Sequence, residues 1–307
     1  MLTPPDRMKA VTMSRYGDID VLQTAEVAMP VPGPGEALVR VRAAAVNPAD
    51  VKWRAGQFAS FAPVGFPHIL GYDVAGEIMS SARFGAGARV VAMLDPFRKG
   101  GYAEYAAVAE DALVLIPDAL DFAAAAAIPT PGLTGLQLVE QAANVRSGDR
   151  VMISGATGAV GRFAIWAARQ RGATVIAAVR AGRAALARSL GAHEIWLAPA
   201  IETETTKANC LIDTIGGADA ARLGGGIHPD GGIFTVATTP IPVGEMPVEP
   251  IFYAVHPDAA QLERLVAAVD AGEIELPPLL RIGFDDLRLA HRQIEDGGFA
   301  GRLVLEP

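Results

Sequence analysis

The spacing of hydrophobic positions changes twice along the chain. Between residues 8 and 116, apolar residues come in short runs broken by glycine and proline: KAVTM at 9–13, EALVRVRAAAV at 36–46, YDVAGEIM at 72–79, ARVVAML at 88–94 and YAEYAAV at 102–108. Runs bounded this way predict a small β-barrel or sandwich. The middle of the chain has a different rhythm. Strand VMISGA (151–156) precedes a helical stretch at 159–171, and strand TVIAAV (174–179) precedes another at 182–190. EIWL, CLIDTIGG and GGIFTVA follow. Strands alternating with helices predict a parallel sheet joined by right-handed crossovers. Residues 258–271 read as a helix with Leu262, Leu265, Val266 and Val269 on one face. From about Leu276 the pattern returns to strand, a helix at 285–296 and the strand GRLVLE. A tail this short is no third domain, so it completes the first.

One run interrupts the scheme. Residues 122–139 carry no charge, which is long enough to suggest a membrane span. The run contains Pro129, Pro131, Gly132 and Gly135, and much of it is alanine, so it reads as a buried junction instead.

Composition narrows the class. The 307 residues are 51% apolar and 20% charged, as in an ordinary globular protein. A formal charge of −8 and a pI near 5.2 argue against nucleic acid or an anionic membrane as partner. The single cysteine, Cys210, rules out an internal disulfide framework and a thiolate zinc cluster, and fits a reducing, cytoplasmic setting. The opening MLTPPDRMKAV has two prolines and no apolar core, so it does not read as a signal peptide. The five histidines are scattered with none at i, i+4, and no metal site is expected from them.

The most specific chemistry lies at Gly155-Ala156-Thr157-Gly158-Ala159-Val160-Gly161, between a strand and a helix. A strand that turns directly into a helix aims free N–H groups and the positive end of the helix dipole at whatever sits above it. Gly155 permits the turn, Gly158 admits a pyrophosphate to the backbone, and Gly161 lets the helix pack on the strand. Tight packing alone could also require such glycines, but the strand–loop–helix context points to a dinucleotide. An acidic residue about 20 positions on would bind an adenosine ribose diol. Here Arg180 stands 19 residues after Gly161, with Arg183 three further, and no carboxylate lies between Arg162 and Glu194. Guanidinium groups suit a ribose 2′-phosphate, so the cofactor is expected to be NADPH; solvated surface arginines are the alternative.

Several stretches together resemble one family. VNPADVKWRAGQF, PHILGYDVAGEI, GGYAEYAAV, IPTPGLTGLQLV, GATGAVG, LGAHEI, DTIGG and GRLVL are similar, in order, to motifs of the zinc-independent quinone oxidoreductases and enone reductases of the medium-chain dehydrogenase/reductase superfamily. The resemblance implies an α/β fold: a Rossmann-type doubly wound parallel sheet domain, residues 130–272, inserted in a GroES-like β-barrel domain, residues 1–129 plus 273–307. It places the active site in the cleft between the two. It implies that Asn47 and Thr134 face the nicotinamide, and that Gly158, Ala159 and Val160, with Gly155, Ala156 and Gly161, carry the pyrophosphate. Thr214, Ile215 and Gly216 would line the adenine side. Val236 and Ala237 would lie further along the cofactor, with Phe252 and Tyr253 near the cleft. It also suggests a homodimer paired through the apolar segment EPIFYAV, 249–255.

The departures from zinc-dependent relatives are equally informative. Where those carry Cys, His-Glu and a third ligand, this chain has Asn47, Tyr72-Asp73 and Thr130. The cysteine-rich lobe is replaced by LDPFRKGGYAEY, the connection LAPAIETETTKAN is short, and His193 stands where relatives usually have Asp. The expectation is therefore hydride transfer from NADPH to a small-molecule quinone or α,β-unsaturated carbonyl without zinc. Asn47, Tyr72 and Tyr253 form the candidate catalytic set, and Tyr102 is a further hydroxyl. Half-buried packing is the alternative for each tyrosine. Asp50 reads as an orienting partner within its loop, and Cys210 as a core residue. Two other functions stay open: an enoyl-thioester reductase on the same scaffold, and a non-catalytic NADPH-binding sensor or structural protein.

Overall fold

A computed structural model describes residues 5–95, 97–98, 100–198, 207–242, 244, 246–297 and 301–307. In chain order its elements begin with β1 (Arg7–Met13), β2 (Leu22–Ala28), β3 (Glu36–Val46), α1 (Pro48–Arg54), β4 (His68–Ile69), β5 (Asp73–Ser80), β6 (Arg89–Met93), β7 (Tyr105–Ala109), β8 (Val114–Leu115) and α2 (Phe122–Ala126). Next come α3 (Pro129–Gln137), β9 (Arg150–Ser154), α4 (Ala159–Gln170), β10 (Thr174–Arg180), α5 (Ala184–Ser189), β11 (Glu194–Ala198), β12 (Ala208–Asp213), α6 (Gly217–Gly224), β13 (Ile227–Thr235) and β14 (Pro250–Phe252). The last are α7 (Ala259–Asp270), β15 (Leu279–Ile282), α8 (Leu287–Glu295) and β16 (Arg302–Leu305). The chain divides into two compact units, Met1–Thr130 with Pro257–Asp270 and Pro277–Pro307, and Pro131–His256 with Ala271–Leu276. This division differs from the expected boundaries in assigning α7 to the first unit, where it packs on β8.

The first unit holds a sheet of order β2-β1-β4 and a larger one of order β15-β16-β3-β5-β6-β8. β3 is long enough to serve three partners: β5 along one side, and on the other β7 at Glu36–Arg40 and β16 at Ala44–Val46. Inward residues such as Met13, Val39, Val41, Ile69, Leu303 and Leu305 form one core. The short helix α1 is absent from the strand reading of this region. Its signals are nonetheless present: Asn47 at the N-cap, Pro48 in the first turn, and the Asp50 carboxylate three residues on, which accepts the Asn47 N–H at 2.8 Å. Asp50 thus orients from the first turn of a helix, not from a loop.

The second unit is a six-stranded, wholly parallel sheet of order β11-β10-β9-β12-β13-β14. Numbered from its first strand, that order is 3-2-1-4-5-6, and it reverses between β9 and β12, where doubly wound sheets bind ligands at their strand ends. β9 and β12 are buried apolar strands with Val151, Met152, Ile153, Leu211 and Ile212 inaccessible, and Cys210 is buried beside them. His193 plays a structural part. Its Nδ1 accepts the Val175 N–H at 2.9 Å, pinning the turn before β11 to β10. The connection 199–206 lies outside the described residues. The uncharged run 122–139 is broken into α2, α3 and the start of a π-turn at Leu138–Ala142. Among the described residues no helix is long and apolar enough to cross a membrane.

Candidate functional site

The glycine loop behaves as its spacing requires. Gly155 has φ +58°, and a Cβ there would lie 2.3 Å from Thr214 Oγ1. At Gly161 a Cβ would fall 2.4 Å from the Gly155 carbonyl and 2.6 Å from Ala156 Cα, so α4 could not seat against the loop. Gly158 is different. It is the N-cap of α4 and is exposed; a Cβ would meet only the Gly155 carbonyl, at 3.0 Å. The space above it is open for a ligand rather than filled by protein. The N–H groups of Ala159, Val160 and Gly161 in the first turn have no acidic neighbour there, which leaves the positive helix end uncompensated.

Beside the loop a buried carboxylate ties three strand ends together. Asp213 accepts the hydroxyls of Ser154 and Thr235, both at 2.7 Å, and the N–H groups of Gly216 at 3.0 Å and Ile215 at 3.3 Å. The Ser154 hydroxyl in turn accepts the Thr214 N–H at 2.8 Å, while the Thr214 hydroxyl donates to the Ser154 carbonyl at 2.9 Å. Thr235 Oγ1 accepts the Ala237 N–H at 3.0 Å, and the Asp213 carbonyl accepts that of Val236 at 3.2 Å. Gly216, at φ +70°, has no room for a Cβ, which would fall 2.6 Å from the Thr239 carbonyl. Thr214, Ile215, Gly216, Val236 and Ala237 are thus gathered at the carboxyl ends of β12 and β13. Sequence reasoning named those five and missed Ser154, Asp213 and Thr235, which hold them. The DTIGG motif contained the signal, an acid at the end of an apolar strand.

Arg180 closes β10, whose Ala178 is in register with Ser154 on β9. Arg183 lies in the turn that follows, and both arginines are exposed. Neither guanidinium forms a hydrogen bond or ion pair with a described residue. Glu194, the next carboxylate along the chain, is held by two hydrogen bonds from Arg150 at 2.8 and 2.9 Å.

The first unit has a buried polar network of its own. Asp73 accepts the Thr130 N–H at 2.9 Å, the Thr130 hydroxyl at 2.7 Å and the Asn47 amide at 3.0 Å, and Arg302 stands 3.6 Å away. Burial raises the Asp73 carboxyl to about 6, with Arg302 opposing. Asp50 accepts N–H groups from Asn47 and Gly71, and burial raises it to about 7 against those bonds. Tyr102 lies against Asp50, but its hydroxyl makes no hydrogen bond of good geometry. Tyr72 lines a cavity of about 10 Å³ with Asp50, Trp53, His68, Asp95 and Arg98, room for roughly one water. Its hydroxyl has no described partner, and burial followed by the nearby Asp50 and Asp73 charges pushes it well up.

Comparison with known proteins decides the family. The profile of the alcohol dehydrogenase GroES-like domain matches residues 33–118, and that of the zinc-binding dehydrogenase matches residues 190–305. The chain is 30% identical to a 2-methylene-furan-3-one reductase of Solanum lycopersicum, over 99% of this chain and 80% of that protein. It belongs to the quinone oxidoreductase group of the medium-chain dehydrogenase/reductase superfamily. A chloroplastic quinone-oxidoreductase homolog of Spinacia oleracea is 37% identical, covering 61% of this chain and 60% of that protein, so the match spans well under two thirds of that relative's length. The solved quinone oxidoreductase of Coxiella burnetii superposes with a TM-score of 0.85 at 27% identity, over 98% of this chain and 99% of its own.

The remaining expected residues lie as follows. Thr134 is buried on α3. Phe252 ends β14 and is 57% exposed. The Tyr253 hydroxyl donates to Gln141 Oε1 and would have to leave it to reach a substrate. Asn47 is buried, with its amide N–H on Asp73 and its amide oxygen accepting Arg302 at 2.9 Å, so in this structure it links its neighbours. Of the three candidate catalytic side chains, Tyr72 is the one whose polar atom has no described hydrogen-bond partner, whereas Asn47 engages one of its two amide hydrogens on Asp73.

Proposed function

We propose that this protein is an NADPH-dependent oxidoreductase that reduces a quinone or an α,β-unsaturated carbonyl without zinc. The observation that carries the cofactor reading is the open cradle at Gly158 beside two unpaired guanidinium groups, Arg180 and Arg183. In this reading the first-turn N–H groups of α4 take the pyrophosphate, and the two arginines take the 2′-phosphate by charge-assisted hydrogen bonds. The Asp213 knot holds Thr214–Gly216 and Val236–Ala237 in place along the cofactor. NADPH, when bound, supplies the hydride. The developing oxyanion of an enone or quinone needs only one or two hydrogen bonds, each contributing a few kcal/mol, and the Tyr72 hydroxyl is a free donor for one of them. The names of the relatives support the substrate class: one is a 2-methylene-furan-3-one reductase, one a quinone-oxidoreductase homolog and one a quinone oxidoreductase. The single buried cysteine supports a reducing, cytoplasmic setting. NADPH oxidation measured over quinones, enones and enoyl-thioesters tests the reading. Turnover is expected with the first two. Preference for thioesters, or binding without oxidation of any acceptor, would replace it.

The sheet also supports a reading of assembly. β14 is an edge strand whose Ile251 and Phe252 are 56% and 57% exposed, and an apolar unpaired edge invites pairing. We propose a homodimer through this edge. Light scattering at micromolar concentration should give twice the chain mass, and Ile251→Lys should return it to one.

A further inference from the structure

Three of the four positions at which zinc-dependent relatives carry metal ligands belong, in this chain, to one closed network. Asp73 receives two hydrogen bonds from Thr130 and one from Asn47. Arg302 enters from β16. Its Nη2 donates to Asn47 Oδ1 at 2.9 Å and stands 3.6 Å from Asp73 Oδ2, and its Nη1 donates to the Val46 carbonyl at 3.3 Å. The Asp73 side chain is wholly buried and that of Arg302 is 5% exposed.

A zinc ion does not fit these residues. Zinc takes thiolate, imidazole or carboxylate donors. Here Asp73 is the one anionic donor, and Thr130 and Asn47 present hydrogens, not lone pairs, toward it. A guanidinium keeps its proton in a protein, so a divalent ion beside Asp73 would face a fixed like charge. Among the described residues no cluster of three metal-ligating side chains exists.

We propose that Arg302 is the resident cation of this site. Its guanidinium does for Asn47, Asp73 and the end of β3 what a bound metal does for its ligands: it compensates the buried carboxylate and fixes the orientation of the groups around it. By occupying that place it keeps a divalent ion out. Arginine suits this position because its planar fork donates to two acceptors from two nitrogens while its charge faces Asp73. Arg302 is thus a positioning residue. The inference rests on the zinc-independent reading and adds the residue responsible for it.

Four variants test it by thermal unfolding, each with and without 1 mM Co²⁺: Arg302→Ala, Arg302→Lys, Asp73→Asn and Asp73→Asn/Arg302→Ala. Arg302→Ala leaves an uncompensated buried carboxylate and should unfold about 10 °C below wild type. The double variant, with a neutral site, should recover at least half of that loss. Arg302→Lys, which restores charge without the fork, should fall between. Co²⁺ should raise the midpoint of Arg302→Ala by about 3 °C and leave the wild type and the double variant unmoved, a response that lost packing alone would not produce. Equal Co²⁺ response in wild type and Arg302→Ala, or a double variant no better than Arg302→Ala, would overturn the assignment. Failure of the underlying reading shows separately, as one tightly held zinc per wild-type chain with NADPH oxidation lost on chelation.

Discussion

The two units each bury a carboxylate beside their candidate chemistry, and each satisfies it differently. In the second unit Asp213 is met by neutral donors, two hydroxyls and two backbone N–H groups, drawn from neighbouring strand ends. In the first unit Asp73 also has neutral donors, two from Thr130 and one from Asn47, but beside them stands a cation 229 residues further along the chain, on strand β16, 3.6 Å away. Neutral donors on adjacent strands make a rigid floor for a ligand without carrying net charge of their own. A distant guanidinium makes a closed, self-compensated cluster. One carboxylate is held by groups close to it in one sheet, the other also by a charge from a distant part of the chain.

The largest way to break this comparison is Asp213→Ala. It leaves the Ser154 and Thr235 hydroxyls and two N–H groups short of their acceptor, and should cost about 3–5 kcal/mol in chemical denaturation. A neutral result would mean that the knot holds nothing. Next in size is Arg180→Asp, which on the proposed reading removes a 2′-phosphate partner and adds repulsion. The preference for NADPH over NADH should shift toward NADH by roughly 2–4 kcal/mol, read from the ratio of kcat/KM values. A wild-type protein that uses both cofactors equally would sink the arginine assignment. Gly158→Val should weaken NADPH binding at least tenfold, or about 1.4 kcal/mol, by calorimetry. The fold should survive, because the added Cβ meets only the Gly155 carbonyl.

The smallest effect concerns pH. Asp50 has a folded pKa raised to about 7, so its contribution to stability is fully present below the ordinary carboxylate range and is lost as pH rises through 7. Between pH 6.5 and 8 the wild type should lose about 1 kcal/mol from this group. Asp50→Asn should remove that part of the slope; an unchanged slope would show that Asp50 does not titrate there.

What could be read from the sequence follows the same division. The parallel sheet and the glycine loop were legible because strand, loop and helix are contiguous, and Gly155 and Gly161 have a local steric reason. The helix α1 was legible in principle from Asn47, Pro48 and Asp50, but its seven residues, about two turns, are too few to show a 3.6-residue period. Arg302 was hidden. Nothing in GRLVL says that its arginine turns inward to Asn47 and Asp73, because that contact depends on β16 pairing with β3 across most of the chain. Tyr253 looked like a donor by residue type, and only its distance to Gln141 shows where the proton is engaged.

The position of β16 has a consequence for how the molecule is made. A ribosome delivers every strand of the second unit before it delivers Leu303, Val304 and Leu305, which complete the β3 edge. The inserted unit can therefore finish folding while the enclosing one still waits. During that interval Ala44–Val46 lie open on one side, and Asp73 has no guanidinium. Nascent-chain stalling at residue 290 should thus yield a protease-resistant second unit and a first unit still open to cleavage, which closes only when the last strand emerges.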